Sequence, residues 1–279
     1  MLALNGAIEA IMSLPLLAPL AILLYLASAA LLILRLSRGV QDLASKTGII
    51  ALGFGAFILH AGILQQHLLI QNGINLGFFD ASSLIGWLIA GLLLLAAIRR
   101  PVENLGIVLL PLAAATIIME RLFSSHHVVQ ILGSWQLQVH ILLSVLAYSV
   151  LTIAMVQAVL LAVQDRQLRN RQPGGFVAAL PPLATMEALL FQMIGLGFAL
   201  LTLSLVTGVL FLEDIFAQHL VHKTVLSIVA WVVFAILVQG RWRFGWRGRT
   251  AIRWTLGGFI VLMLAYFGTK LVLELLLGR

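Results

Sequence analysis

Residues 136–162 read QLQVHILLSVLAYSVLTIAMVQAVLLA and contain no Asp, Glu, Lys or Arg. A helix needs about 20 predominantly apolar residues to cross the hydrocarbon core of a bilayer, so this stretch is long enough to span it. It is also too long for a barrel strand, which covers about ten residues with alternating polarity. The stretch therefore predicts a transmembrane helix with one histidine, His140, near its beginning.

Similar apolar segments recur along the chain and predict an all-α fold. The 279 residues are 62% hydrophobic and 10% charged, whereas soluble domains are about half apolar and a quarter charged. Eight segments reach spanning length, to within a few residues at each end: 15–35, 48–70, 81–98, 105–122, 136–162, 185–212, 221–240 and 254–276. We expect a polytopic membrane helix bundle with about eight transmembrane helices, forming a single integral membrane domain over residues 1–279.

The basic residues predict the orientation of these spans. Thirteen of the 17 Lys and Arg residues lie in one set of connections, whereas the other set, with both termini, holds only four. Those four are Arg121, Lys223, Lys270 and Arg279. Because cytoplasmic loops carry the excess of Lys and Arg, both termini are expected outside, in the inner (plasma) membrane of a bacterium.

The composition also narrows the function classes. The net charge of +7 arises from short basic loops between apolar runs, so a lipid bilayer is the expected partner and nucleic acid is not. The chain has no cysteine, which rules out thiolate metal sites within it. It contains no phosphate loop, zinc signature or nucleophile elbow, so no enzyme activity is predicted.

All seven histidines fall on the predicted outer side or in the outer half of a span. They are His60, His67, His126, His127, His140, His219 and His222. Imidazole is a good axial ligand for haem iron and also a proton carrier. The clustering predicts a haem- or metal-handling site on the outer side.

Among the histidines, His60 lies deepest in its span. A polar side chain inside a membrane is costly and normally faces the bundle interior, which favours a functional role. His67 follows two helical turns later on the same face, near the outer interface. The alternative is that His60 only makes an interhelical hydrogen bond that holds the packing.

His140, Ser144 and Tyr148 recur at i, i+4 and i+8 and form one polar stripe on an otherwise apolar helix. Such a stripe can orient an imidazole by hydrogen bonding and so determine which ring nitrogen binds a ligand. The alternative is a polar seam between helices. We favour His140 as the principal metal ligand candidate, with Ser144 and Tyr148 as supporting cofactor-binding residues.

His222 begins a predicted span and is followed by Lys223, a cation on the outer side. Lys223 could pair with a carboxylate such as a haem propionate, and His222 or His60 would be the second ligand to the iron. The alternative is that Lys223 pairs with Glu213 or Asp214 in the preceding loop.

The carboxy-terminal part, about 130–276, resembles the cytochrome c assembly family of membrane proteins, which includes CcsA-, CcmC- and HemX-type members. The resemblance rests on Trp135–Tyr148, on His222–Trp231, and on Gly245–Arg249 leading to Leu264–Gly268. It implies that His140 corresponds to an external histidine that serves as an axial haem ligand. It also implies haem as a cofactor and other membrane or cytochrome c assembly proteins as partners.

These observations together favour an integral membrane protein that binds or moves haem on the periplasmic side during cytochrome complex assembly. A first alternative is a non-catalytic, HemX-like scaffold or regulator without bound haem, whose histidines only pack helices. A second is a transporter of a small solute, which would carry polar groups at mid-depth in broken spans.

Overall fold

The computed structural model describes residues 16–38, 45–70, 73–75, 77–123, 128–129, 135–171, 177, 179–211 and 221–268, with the side chains of 37–38, 67–75 and 128–129 excepted. Over these ranges eight helical segments are long and apolar enough to cross a membrane. Their α-helical parts are α1 (Leu17–Arg38), α2 (Lys46–Leu68), α3 (Phe78–Arg99), α4 (Gly106–Leu122), α5 (Trp135–Arg169), α6 (Leu183–Phe211), α7 (Val221–Phe244) and α8 (Arg249–Met263). The predicted all-α membrane fold is therefore confirmed.

Two short irregular elements extend these helices. A 3-10 turn over Glu103–Leu105 precedes α4, and a π-helical turn over Leu264–Gly268 continues α8. Many large apolar side chains on the helices are exposed, for example Ile58, Leu95 and Leu210 at 67%, 59% and 68%. Such extensive apolar exposure is the surface of a protein whose solvent is lipid.

Contacts divide the chain into two compact units, Met1–Gln130 and Ile131–Arg279. In the first unit α1 packs against α2 and α4, and α3 packs against the same two helices. In the second unit α5 packs against α6 and α8, and α7 packs against the same two. Each unit is thus a ring of four helices. The single domain over 1–279 and the outward position of both termini stay predictions.

A small antiparallel sheet joins two connections in the first unit. Its strands are β1 (Leu69–Ile70), β2 (Gly73–Asn75) and β3 (Val128–Val129), in the order β1-β2-β3. The central strand β2 pairs with β1, which follows α2, and with β3, which follows α4. The α2–α3 and α4–α5 connections therefore lie at the same end of the unit, as the predicted topology requires.

Polar side chains close the predicted cytoplasmic end of the second unit. Glu187 accepts hydrogen bonds from Arg241 Nη1 at 2.9 Å and from the Gly248 amide at 3.1 Å. Asp165 accepts from Arg169 and Arg249 at 3.0 and 3.2 Å. These contacts stabilise the turn between α7 and α8, where Gly248 has a φ of 55°.

The aromatic and basic stretch 241–249 surrounds this turn. Trp242 is 84% exposed and Phe244 is 73% exposed, which is the arrangement expected of side chains that sit at headgroup level. Trp246 instead packs inward, since its ring contacts Trp254 at a centroid distance of 5.5 Å.

Candidate functional site

His140 lies near the beginning of α5, and its imidazole ring faces α6. Nδ1 of His140 is 3.0 Å from the carbonyl oxygen of Ser204 and 3.3 Å from Oγ1 of Thr207. Gly208, one residue further along α6, leaves room for the ring: a Cβ atom built there would lie 3.1 Å from His140 Cε1. The Ser204 carbonyl, the Thr207 hydroxyl and the small Gly208 of α6 therefore position the imidazole of His140.

This hydrogen bond determines the tautomer of His140. A backbone carbonyl can only accept, so Nδ1 must carry the hydrogen that it donates to Ser204. In the neutral ring Nε2 then has the lone pair, which is the state that a metal-binding histidine requires. Among the described residues Nε2 of His140 has no hydrogen-bond partner, and the side chain is half-buried. The lone pair of Nε2 is thus not used by any described residue.

Ser144 secures the helix pair one turn deeper. Its hydroxyl lies 2.7 Å from the His140 carbonyl oxygen and 2.7 Å from the Ser204 hydroxyl. The Ser204 carbonyl in turn accepts from Thr207 Oγ1 at 2.9 Å. A half-buried polar network of this kind stiffens the helix contact that holds His140.

Tyr148 does not join this network. Its ring packs among the aromatic rings of Phe259, Tyr266 and Phe267, with centroids 5.5–5.7 Å away. The reason is geometric: at about 100° per residue, eight residues leave Tyr148 about 80° around the helix from His140. The predicted stripe is therefore divided, with Ser144 beside α6 and Tyr148 beside α8.

His222 is exposed in the first turn of α7. The helix is attached to α6 by Trp231, whose indole Nε1 donates to Thr202 Oγ1 at 2.8 Å. Because α7 follows α6 in the chain and α5 runs antiparallel to α6, His222 and His140 lie at the same end of this unit. Lys223 is half-buried and already has an interaction partner.

His60 belongs to the other unit and is fully buried, at 0% exposure. Its Nε2 lies 2.9 Å from the Ser83 hydroxyl on α3, and its Nδ1 lies 3.4 Å from the Tyr25 hydroxyl on α1. Both ring nitrogens are thus occupied by hydroxyl groups. Binding iron through His60 would require one of these contacts to be broken.

Several residues considered above lie outside the described residues. They are His126, His127, His219, Glu213 and Asp214, together with the side chain of His67. Conversely, the structure buries two carboxylate residues that the sequence did not indicate, Asp80 at 6% exposure and Glu120 at 8%. Asp80 lies in the first turn of α3 and Glu120 near the end of α4, positions at which a carboxylate is ordinarily solvated.

The donor set fits a haem better than a bare metal ion. Within the described ranges no group of three or more His, Cys, Asp or Glu residues could hold a metal ion. A haem iron already has the porphyrin nitrogens and needs only one or two axial protein ligands. One imidazole with a fixed tautomer, as at His140, meets that requirement.

Comparisons with known proteins identify the family of the chain. The family model described as Cytochrome C assembly protein matches residues 49–277. Inner membrane protein YpjD of Escherichia coli K12 is 33% identical over 269 residues, which are 94% of this chain and 99% of that protein. Cytochrome c biogenesis protein CcsA of Rippkaea orientalis is 30% identical over 90 residues, 32% of this chain and 26% of that protein. No solved structure matches the chain.

Proposed function

Because the chain belongs to the cytochrome c assembly protein family and is a multi-pass inner membrane protein, we propose that it binds haem through Nε2 of His140. The site lies at the α5–α6 contact of the carboxy-terminal unit. By the distribution of Lys and Arg, this end of the unit faces the periplasm. The protein thereby holds or passes on haem during cytochrome complex assembly, without itself catalysing a reaction.

The observation that supports this proposal most is the bond from His140 Nδ1 to the Ser204 carbonyl at 3.0 Å. A backbone acceptor behind the ring is the usual means of fixing the orientation and tautomer of a ligating histidine. A histidine that only packs helices would be more stable with hydrogen bonds at both ring nitrogens, as His60 has.

His222 is the second ligand in this proposal, and Lys223 pairs with a haem propionate. Both lie at the start of α7, at the same end of the unit as His140. The exposed imidazole of His222 can approach an iron that His140 already holds. We do not extend the ligand proposal to His60, since its two nitrogens are bonded to hydroxyls inside the other unit.

When bound, haem supplies an iron centre that accepts imidazole and gives the protein visible absorption. The residues of the chain bind and orient it: Ser204 holds the proton on His140 Nδ1, Gly208 leaves space beside the ring, and Lys223 supplies positive charge for a carboxylate.

A titration of the purified, detergent-solubilised protein with haemin tests the proposal. The wild type is expected to develop a Soret band that saturates, whereas His140→Ala loses most of it and His222→Ala shows a shifted band. His219→Ala removes another imidazole of the predicted outer side and is the matched control, which should bind as the wild type does. A wild-type protein that takes up no haemin, or His140→Ala binding as tightly as the control, would contradict the proposal.

A scaffold or regulator without haem is a second candidate, and His60 favours it. The imidazole of His60 joins α1, α2 and α3 through Tyr25 and Ser83, which shows a histidine of this chain used for helix packing. This candidate expects no haemin uptake by the wild type, together with a partner protein that remains bound after gentle detergent extraction.

A further inference from the structure

Glu120 is a buried acid that has no hydrogen-bonding partner among the described residues. Its side chain is 8% exposed, and neither carboxylate oxygen makes a hydrogen bond to any described group. Burying a polar group without compensation costs about 1–3 kcal/mol, and burying an isolated charge costs much more. Such an acid is rare inside folded proteins and requires an explanation.

The contacts between α3 and α4 show what Glu120 faces. On one side of it Gly86 of α3 is in close contact with the side chain of Thr116. On the other side the rings of Phe79 and Phe123 stack with centroids 5.0 Å apart. In this antiparallel register Glu120 lies opposite Ser82 and within one residue of Ser83 on α3.

The charged and polar surroundings agree with that register. The groups around the Glu120 carboxyl are the Ser83 hydroxyl and the Asp80 carboxylate of α3 and the neighbouring Arg121, and the carboxyl is hydrogen-bonded to none of them. Ser83 is fully buried and lies 2.9 Å from His60 Nε2, while His60 Nδ1 lies 3.4 Å from the Tyr25 hydroxyl. A carboxyl, a hydroxyl and an imidazole thus follow one another within the amino-terminal unit.

We propose that Glu120, Ser83 and His60 form a proton-binding site that holds one proton between the carboxyl and the imidazole. In one arrangement Glu120 carries the proton and faces the Ser83 oxygen, while the Ser83 hydroxyl donates to His60 Nε2. In the other arrangement, Ser83 has given its proton to His60 Nε2 and has received the proton of Glu120 in its place. The second arrangement is a carboxylate and an imidazolium joined by the same hydroxyl, with all protons accounted for.

Two features of the surroundings favour binding of a proton over binding of a metal ion. The described residues contain no group of acids and histidines large enough to hold a metal. With one proton the three side chains carry no net charge, and a neutral group costs less to bury than a charged one. The transfer requires the Glu120 carboxyl to close onto the Ser83 hydroxyl, since the two are not hydrogen-bonded in this arrangement.

The site lies in a different unit from His140, so haem-free protein is used to test it. Protein labelled with ¹⁵N at histidine is placed in nanodiscs and followed by NMR from acid to alkaline pH, with His60→Gln identifying the His60 signals. In the wild type the His60 signals should titrate, and Glu120→Gln should abolish or strongly displace that titration. Glu103→Gln is the matched control, since Glu103 pairs with Lys46 at 3.2 Å elsewhere in this unit.

Ser83→Ala provides a second, smaller variant, which separates Glu120 from His60 without removing either titrating group. In Ser83→Ala the His60 signals should still titrate. Adding Glu120→Gln to that variant should leave this titration unchanged. His60 signals that are the same in wild type, Glu120→Gln and Ser83→Ala at every pH would overturn the proposal. Equal effects of Glu120→Gln and Glu103→Gln would also overturn it.

Discussion

The imidazole of His140 and the backbone carbonyl of Ser204 are joined by a hydrogen bond of 3.0 Å across the α5–α6 contact. The acceptor is a main-chain atom inside a helix, so its position is determined by the fold and not by a side-chain rotamer. The ring nitrogen that faces away from α6 is therefore the one with a lone pair. This relationship connects the packing of two helices to the chemistry of one side chain.

Ser204→Ala should weaken the helix pair without weakening haem binding. The substitution removes the hydroxyl that lies 2.7 Å from Ser144 but keeps the carbonyl that orients His140. We expect a loss of about 1 kcal/mol in the free energy of unfolding and a change in haemin affinity below about twofold. Denaturation in detergent and haemin titration measure the two effects. A loss of affinity as large as in His140→Ala would show that the carbonyl is not the orienting group.

Gly208→Val should displace the His140 ring. A Cβ at Gly208 would already lie 3.1 Å from Cε1 and 3.4 Å from Nδ1 of His140, and the two further methyl groups of valine must enter the same space. Loss of the ring's hydrogen bond and proper position should weaken haemin binding about tenfold, or about 1.4 kcal/mol. A Cβ at Gly195 of the same helix would meet no atom within 4 Å, so Gly195→Val is the control. Equal affinities of the two valine variants would contradict the expectation.

Glu187→Ala should destabilise the protein more than Asp165→Ala does. Glu187 is 12% exposed and accepts from Arg241 and the Gly248 amide, so its removal should cost about 2 kcal/mol or more. The arginines that pair with Asp165 are 58% and 59% exposed, and such surface pairs contribute less than about 1 kcal/mol. Thermal denaturation of both variants in one detergent gives the order, and a reversed order would show that the turn is held by other contacts.

Gly248→Ala should destabilise the turn between α7 and α8. Gly248 has a φ of 55° and a ψ of −129°, a combination that costs a residue with a side chain about 1–3 kcal/mol. Gly257→Ala, inside α8 with open space around it, should be neutral or slightly stabilising because alanine favours helix. The melting temperatures of the two variants test this, and similar values would mean that the turn adopts another conformation.

The membrane fold could be predicted from the sequence because one physical requirement dominates it. Each span must present about 20 apolar residues to lipid, and all eight predicted segments correspond to helices of the structure. The ends were less accurate: α5 continues to Arg169, beyond the predicted residue 162. Its last two turns are polar and are held by contacts such as that from Gln164 to the Pro181 carbonyl at 2.9 Å.

The site was only partly predictable, because helix packing determines which side chains meet. His140 and Ser144 do share a network, but its principal acceptor is a carbonyl of α6, which no side-chain pattern can reveal. Tyr148 turned out to face a different helix. The burial of Glu120 was missed because it depends on the register of α3 against α4, whereas its sequence position next to Arg121 is typical of a solvated helix end.

The most direct test of the central claim is the Soret spectrum of haemin-loaded His140→Gly, recorded with and without added imidazole. If Nε2 of His140 binds the iron, the variant should lose the wild-type band, and free imidazole should restore it by entering the space that the side chain has left. A His140→Gly protein whose spectrum and haemin affinity equal those of the wild type, with no response to imidazole, would contradict the claim.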